Sequence, residues 1–447
     1  MSVTSLPTTW QSKLAIDCFE QISTTNKKVQ SKDYSANGKY PVIDQGQSFI
    51  SGYTDDETKL IKLDSPICIF GDHTRIIKWV KQDFVPGADG TKLLKPRSFM
   101  FPRYAYYSLC ALNIPDKGYS RHFKYFKEIE IKIPGWIEQK IIAEKLDTLL
   151  AQVDSTKTRL EKIPQVLKRF RQAILAAAVC GKLITIIDSE HKKTIELGND
   201  LIRIPENWAI SKLDSTINKS RPICYGVVQP GDDIISGELL IRVCDINNGE
   251  VALTSLRKIS QDIDNQYRRS KVQKDDILVT IVGAIGRIGI IRNNINANIA
   301  RAVARLSPDK NIVSPMFLHI WLSSPVMQTW LVSSSKEVAR KTLNLKELKD
   351  APVPLPSIEE QHEIVRRVEQ LFAYADTIEK QVNTTLERVN NLTQSILAKA
   401  FRGELTAQWR AENPDLITGE NSAAALLEKI KAERATSGTK KNARKKS

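Results

Sequence analysis

The sequence predicts an α+β protein: two globular α/β domains separated by two long helices that form an antiparallel coiled coil, with an internal pseudo-twofold repeat. Three observations predict this. A stretch near the middle of the chain is written again near its end, and both copies carry apolar residues at heptad spacing. Short β-branched runs with glycine turns lie ahead of each copy.

The repeat comes first. Aligning Glu138-Gln139 with Glu360-Gln361 sets an offset of 222 positions. At that offset Asp154 falls on Asp376, Gln172 on Gln394, and Ile174-Leu175-Ala176 on Ile396-Leu397-Ala398. Gly181-x-Leu183 lands on Gly403-x-Leu405. One offset held without a gap over this length marks a duplicated structural unit.

Each copy is helical by period. Leu146, Val153, Leu160, Leu167 and Ile174 stand seven apart, with a second row at Leu149, Thr156, Ile163, Phe170 and Ala177. The later copy repeats both rows, as Val368, Ala375, Val382, Val389 and Ile396, then Leu371, Ile378, Thr385 and Leu392. Two such rows form a narrow seam for a partner helix, and the copies are natural partners. About 45 residues at 1.5 Å rise give a rod of roughly 65 Å, too long for one small core to cover. Pro134 and Pro356 precede the copies, and Ser357 with Glu360 reads as a capping box. Gly181 and Gly403 sit where a left-handed residue would end each helix. Pro164 is expected to kink or break the first rod. Nothing in the seam looks catalytic.

At 447 residues the chain is too long for one core. A net charge of +15 favours a polyanionic partner, and the basic run from Lys440 to Lys446 supplies only five of those charges. The six cysteines are scattered, with no Cys-x-x-Cys pair, which argues against zinc and against a disulfide framework and suits a reducing cytoplasm. No signal peptide and no apolar run of membrane length is present, so no membrane association is expected.

The segments ahead of the helices correspond more faintly. Leu6-Pro7-x-x-Trp10 matches Ile204-Pro205-x-x-Trp208, and at an offset of 212 Gly71-Asp72-His73-Thr74-Arg75 matches Gly283-Ala284-Ile285-Gly286-Arg287. The apolar runs before these turns, 67–70 and 277–282, read as buried strands. Basic and aromatic residues interleave in both domains. The first offers His73, Arg75, Lys78, Arg97, Arg103, Arg121, His122 and Lys124. In the second stand Tyr225, Gln229, Arg268-Arg269, Arg287, Arg301, Arg340 and Lys341. Arginine can read guanine bidentately, glutamine can read adenine, and lysine mostly positions on phosphate. Any one of these residues is more often solvated surface, but the set, given the charge, favours nucleic-acid binding.

Catalytic signatures are missing. The chain holds no Gly-x-x-x-x-Gly-Lys-Ser/Thr loop, no His-Glu-x-x-His, no nucleophile elbow and no Asn-Pro-Pro-Tyr-like segment. Pro115-Asp116 followed by Glu130-x-Lys132 has the residue order of a Mg²⁺-dependent nuclease. The competing reading of 128–133 is an amphipathic strand with isoleucines on one face, and it fits better. A stand-alone Mg²⁺-dependent DNA endonuclease and a non-catalytic coiled-coil scaffold are the alternatives to DNA recognition.

With these residues assembled, the chain resembles a specificity subunit of a type I restriction-modification enzyme. The resemblance rests on Val353-Pro354-Leu355-Pro356-Ser357-Ile358-Glu359-Glu360-Gln361, on Phe401-Arg402-Gly403-Glu404-Leu405 and Gly181-Lys182-Leu183, and on Gly71-Asp72-His73-Thr74 and Pro205-Glu206-Asn207-Trp208. Gly135-Trp136 and Pro164 depart from the pattern. The resemblance implies target-recognition domains at 1–133 and, with a linker, 183–352, helices at 134–182 and 353–403, and a tail with a short helix at 404–447. It implies a bipartite double-stranded DNA site, one domain per half-site, with the coiled coil as a ruler. It also implies docking of two modification subunits and of restriction subunits. No cofactor is expected in this chain; S-adenosylmethionine, ATP and Mg²⁺ belong to the partner subunits. Tail and N-terminus are expected to complete the counterpart of the central linker, with Leu426, Leu427 and Ile430 on one helical face.

Overall fold

The computed structural model describes residues 6–87, 90–118, 120–184, 192–198, 200–247, 249–337, 341–429 and 431. The heptad segments are helical, one over Trp136–Val179 and the other over Ile358–Phe401, each 44 residues long. The chain divides into two compact units, residues 1–161 with 384–447 and residues 162–383, so each unit takes part of both helices.

In the first unit a four-stranded antiparallel sheet orders Phe19–Ile22, Thr91–Pro96, Ile67–Gly71 and Ile77–Val80. Ile67–Gly71 is buried throughout, as a short apolar run without alternation requires. A second sheet joins Gly52–Thr54, Tyr40–Ile43 and Val85–Pro86, and Gln11–Leu14 pairs with Glu130–Ile133. Phe19, Phe70, Tyr104 and Phe126 pack with Ile142 and Leu146 from the start of one long helix and Leu397 and Ala400 from the end of the other. Start meets end, so the helices run antiparallel here.

The second unit follows the same plan. Its six-stranded sheet is centred on Ile277–Thr280, again fully buried, between Val303–Leu306 and Ile288–Ile290. Ala209–Lys212 pairs with Pro352–Leu355 as Gln11–Leu14 does with Glu130–Ile133. Its core gathers Trp208, Phe317 and Trp321 with Ile174, Ala178 and Val179 from one helix end and Ile364 and Val368 from the other helix start. Arg171 crosses to Asp376 at 2.6 Å and Glu379 at 2.8 Å. Both acids are well exposed, so Arg171→Ala should cost no more than about 1 kcal/mol, a difference that shrinks in high salt. Urea denaturation at two salt concentrations checks this.

Along the seam Leu146, Val153, Leu167, Ile174, Val368, Ala375, Val382 and Val389 are buried, while Leu160 and Ile396 are half-buried. The second rows flank it: Thr156 and Leu392 are exposed, as expected where a straight helix drifts from a strict heptad. The break that Pro164 could have caused is not present: the helix runs through it. Pro164 lies on the exposed face, where water can take up the carbonyl that loses its intrahelical partner.

The duplication extends to individual hydrogen bonds. Gly181 and Gly403 adopt φ of +72° and +79°. The amide of Lys182 donates to Ala177 O and that of Gly181 to Ala178 O; Glu404 and Gly403 repeat this toward Lys399 O and Ala400 O. Both helices therefore end in a Schellman motif. Gly181 packs on Pro205 and Gly403 on Pro7, each within its own unit. Gln139 and Gln361 are fully buried and act identically. Gln139 accepts from the amide of Phe101 and donates to Phe99 O and Pro134 O. Gln361 accepts from the amide of Ser314 and donates to Ile312 O and Pro356 O. Each glutamine locks the first turn of a long helix to its own domain.

The preceding glutamates diverge. Glu360 closes a capping box with Ser357. In the first copy Gly135 stands in place of Ser357, and a Cβ there would collide with the carbonyl of Asn421 from the tail. Glu138, released from capping, is buried and accepts from Trp10 Nε1 at 2.9 Å, Thr406 Oγ1 at 2.7 Å and Arg410 Nη1 at 2.6 Å. Trp208, the counterpart of Trp10, is buried with no partner for its Nε1 among the described residues.

The tail and the linker fill their places differently. The linker forms the hairpin Lys192–Leu197 with Asp200–Pro205, burying Ile195, Leu197, Ile202 and Ile204. The tail uses a helix at Ala407–Glu412 and a second over 423–429, whose Leu427 enters the core with Leu426 beside it. Ile430 and the basic run 440–446 lie outside the described residues. No helix among the described residues is long and apolar enough to cross a membrane.

Candidate nucleic-acid interface

In the first unit the turn after Ile67–Gly71 is an anchor. The amide and ring Nδ1 of His122 both lie against Asp72 O, and Asp72 Oδ1 accepts from the amide of Phe123. Asp72 thus starts the helix Phe123–Glu128, and His122 is fully buried beneath it. Lys78 is also buried, donating to Ser48 O at 2.6 Å with Asp44 at 3.8 Å; burial holds its pKa below the ordinary lysine value. These two side chains are corrections to the predicted surface, because neither reaches solvent. Arg103 ties Pro102–Cys110 to the long helix through Asp147 at 2.6 Å, lying 4.7 Å from the Tyr107 ring. It is a packing arginine.

His73 and Arg97 are half-buried; the amide of His73 donates to Gln45 Oε1. Arg75 takes φ of +60°, pairs with Asp116 at 2.6 Å and donates to Ile114 O. Arg121 and Lys124 are exposed with no carboxylate in ion-pair range among the described residues, and Lys124 Nζ sits 4.8 Å above the Tyr125 ring. Of the cations predicted from the sequence in this unit, these two are the exposed ones.

In the second unit Tyr225, Gln229, Arg287, Arg301 and Lys341 are exposed, and Arg340 lies outside the described residues. Arg287 bonds Asn247 Oδ1 at 2.9 Å. The two turn arginines are not equivalent. Arg75 closes its turn before the returning strand, with Gly71 and Ile76 facing each other, whereas the backbone of Arg287 itself faces Thr280 across the hairpin. Their alignment at one offset reflects turns of different length.

The nuclease-like residues are engaged otherwise. Asp116 holds Arg75, while Glu130 and Ser12 both bind Lys132 at 2.8 Å on the strand pair. Lys132 keeps the Glu130 carboxyl below its usual range.

Comparisons with known proteins place this architecture. The family model described as type I restriction modification DNA specificity domain matches residues 7–165 and 233–388. The chain is 76% identical to the type I restriction enzyme EcoBI specificity subunit of Escherichia coli over 71% of its own length and 67% of that protein. It is 37% identical to the Escherichia coli EcoDI specificity subunit over the full length of both. In fold it is similar to the HsdS subunit of Thermoanaerobacter tengcongensis, with a TM-score of 0.53, 17% identity, and 89% of this chain and 98% of that one covered. The nuclease and scaffold alternatives receive no support. The chain belongs to the type I restriction-modification DNA specificity family: it is a non-catalytic DNA-recognition subunit with two target-recognition domains.

Proposed function

We propose that each unit reads one half of a bipartite double-stranded DNA site. In this reading Arg121 and Lys124 serve the first half, and Tyr225, Gln229 and Arg301 the second. The observation that carries it is the pairing of one helix lock with exposed residues that only partly correspond: Gln139 and Gln361 make the same three bonds, and at their offset of 222 exposed Lys124 falls on exposed Lys346, whereas exposed Arg121 falls on buried Leu343. A retained frame with diverged exposed chemistry suits two readers of different half-sites. The duplicated helices then offer two equivalent places for two modification subunits, with restriction subunits joining the assembly.

Co-expression with the modification subunits, followed by methylation mapping over a genome, tests the reading. A split motif is expected. Replacing Arg121 and Lys124 with alanine should relax or weaken one half of it by about 1–3 kcal/mol per lost base contact, or weaken binding uniformly if they meet phosphate. A continuous motif, or a change confined to the half assigned to Gln229 and Arg301, would overturn the assignment.

A further inference from the structure

The second unit contains a basic cavity that the residues assigned above do not explain. It has a volume of about 470 Å³ and is lined by Arg221, Cys224, Arg268, Arg269, Lys271 and Arg305 among others. Arg305 lies on Val303–Leu306, directly across the strand pair from Cys224, and is 2% exposed. Its Nη1 and Nη2 donate to the neutral carbonyls of Lys271 and Pro222, at 3.3 and 3.0 Å. Its Nε has no hydrogen-bond partner among the described residues.

Charge on this cavity is unbalanced. Arg221 is matched by Asp276 at 2.8 Å and Lys271 by Asp264 at 2.6 Å. Arg268, Arg269 and Arg305 have no carboxylate within ion-pair distance among the described residues; Arg268 meets only the neutral Asn265 side chain, and Arg269 lies 5.9 Å from the Tyr225 ring at the rim. A buried guanidinium without a counter-charge is costly, and neighbouring cations raise that cost. An anion entering the cavity would offset both. Guanidinium forks match phosphate oxygens in geometry as well as charge.

We propose that this cavity seats one backbone phosphate of bound DNA, held by Arg268 and Arg269 at the rim and by the field of Arg305 behind them. The inference rests on the DNA-recognition reading above and adds a positioning contact that fixes register without reading a base. Free inorganic phosphate shares the chemistry, so the test includes it.

Full-length protein is titrated with a mixed-sequence duplex over a NaCl series, and separately with inorganic phosphate by calorimetry. Arg268→Gln with Arg269→Gln should reduce the slope of log K against log salt by about 0.9, the increment for one phosphate. Arg305→Gln should give a similar drop, and all three together no more, because one phosphate is shared. Arg292→Gln, a cation already matched by Glu250 at 2.7 Å, should leave the slope unchanged. If Arg305→Gln does not fold, the exposed pair decides alone. Unchanged slopes in the variants overturn the seat while duplex binding by the parent protein keeps the recognition reading. Calorimetric phosphate binding that the variants lose, with the duplex slope intact, overturns DNA as the source. Absence of duplex binding by the parent protein overturns the recognition reading itself.

Discussion

Glu138→Ala is expected to destabilise the first unit by about 3–5 kcal/mol, the range for removing one partner of a buried ion pair. Arg410 is only 14% exposed in its side chain and would be left without its carboxylate, while Trp10 Nε1 and Thr406 Oγ1 would lose their acceptor. Chemical denaturation followed by tryptophan fluorescence reads the loss, since Trp10 is in the network. Adding Arg410→Ala should recover part of it, because the second change removes the stranded charge. A single variant within about 0.5 kcal/mol of the parent protein would show that the pair contributes nothing.

The second large effect is expected at Gln361. Gln361→Ala leaves the amide of Ser314 and the carbonyls of Ile312 and Pro356 without their partner. At about 1–3 kcal/mol for each buried orphan, the loss is on the order of 3 kcal/mol or more. Gln139→Ala should match it in the first unit, since the bonds are the same. Gln361→Glu separates shape from hydrogen bonding: an ionised carboxylate still accepts from Ser314 but cannot donate to either carbonyl. Hydrogen exchange at the first turn of Ile358–Phe401 would localise the effect. Protection unchanged there would show that the helix is held by its apolar seam alone.

Much of this fold was legible because its signals are local. Heptad rows, the Ser357 cap and the glycine ends each declare themselves within a few residues, and duplication states them twice. The glutamine lock was visible only as an alignment anchor. Its partners near 99–101 and 312–314 lie 38 to 49 residues upstream, and nothing local names them. Charge was the least informative signal, because residue type does not report burial. Lys78 shares a strand face with buried Val80, a two-residue period that could have marked it as inward. Arg305 interrupts the buried strand Val303–Leu306, and a charge inside such a run was the available clue to the basic cavity. Pro164 shows the converse: the local rule that proline can break a helix does not say where the residue faces, and on the exposed side the helix continues through it.

The Glu138–Arg410 clasp has a genetic reading. The first recognition unit is not finished when its own strands have been synthesised; it waits for residues beyond 400, including Leu427 in its core. A premature stop late in the reading frame would therefore behave as a lesion in the reader encoded first. A tag or nick after Gly403 would be felt in the unit encoded first, far away in sequence terms.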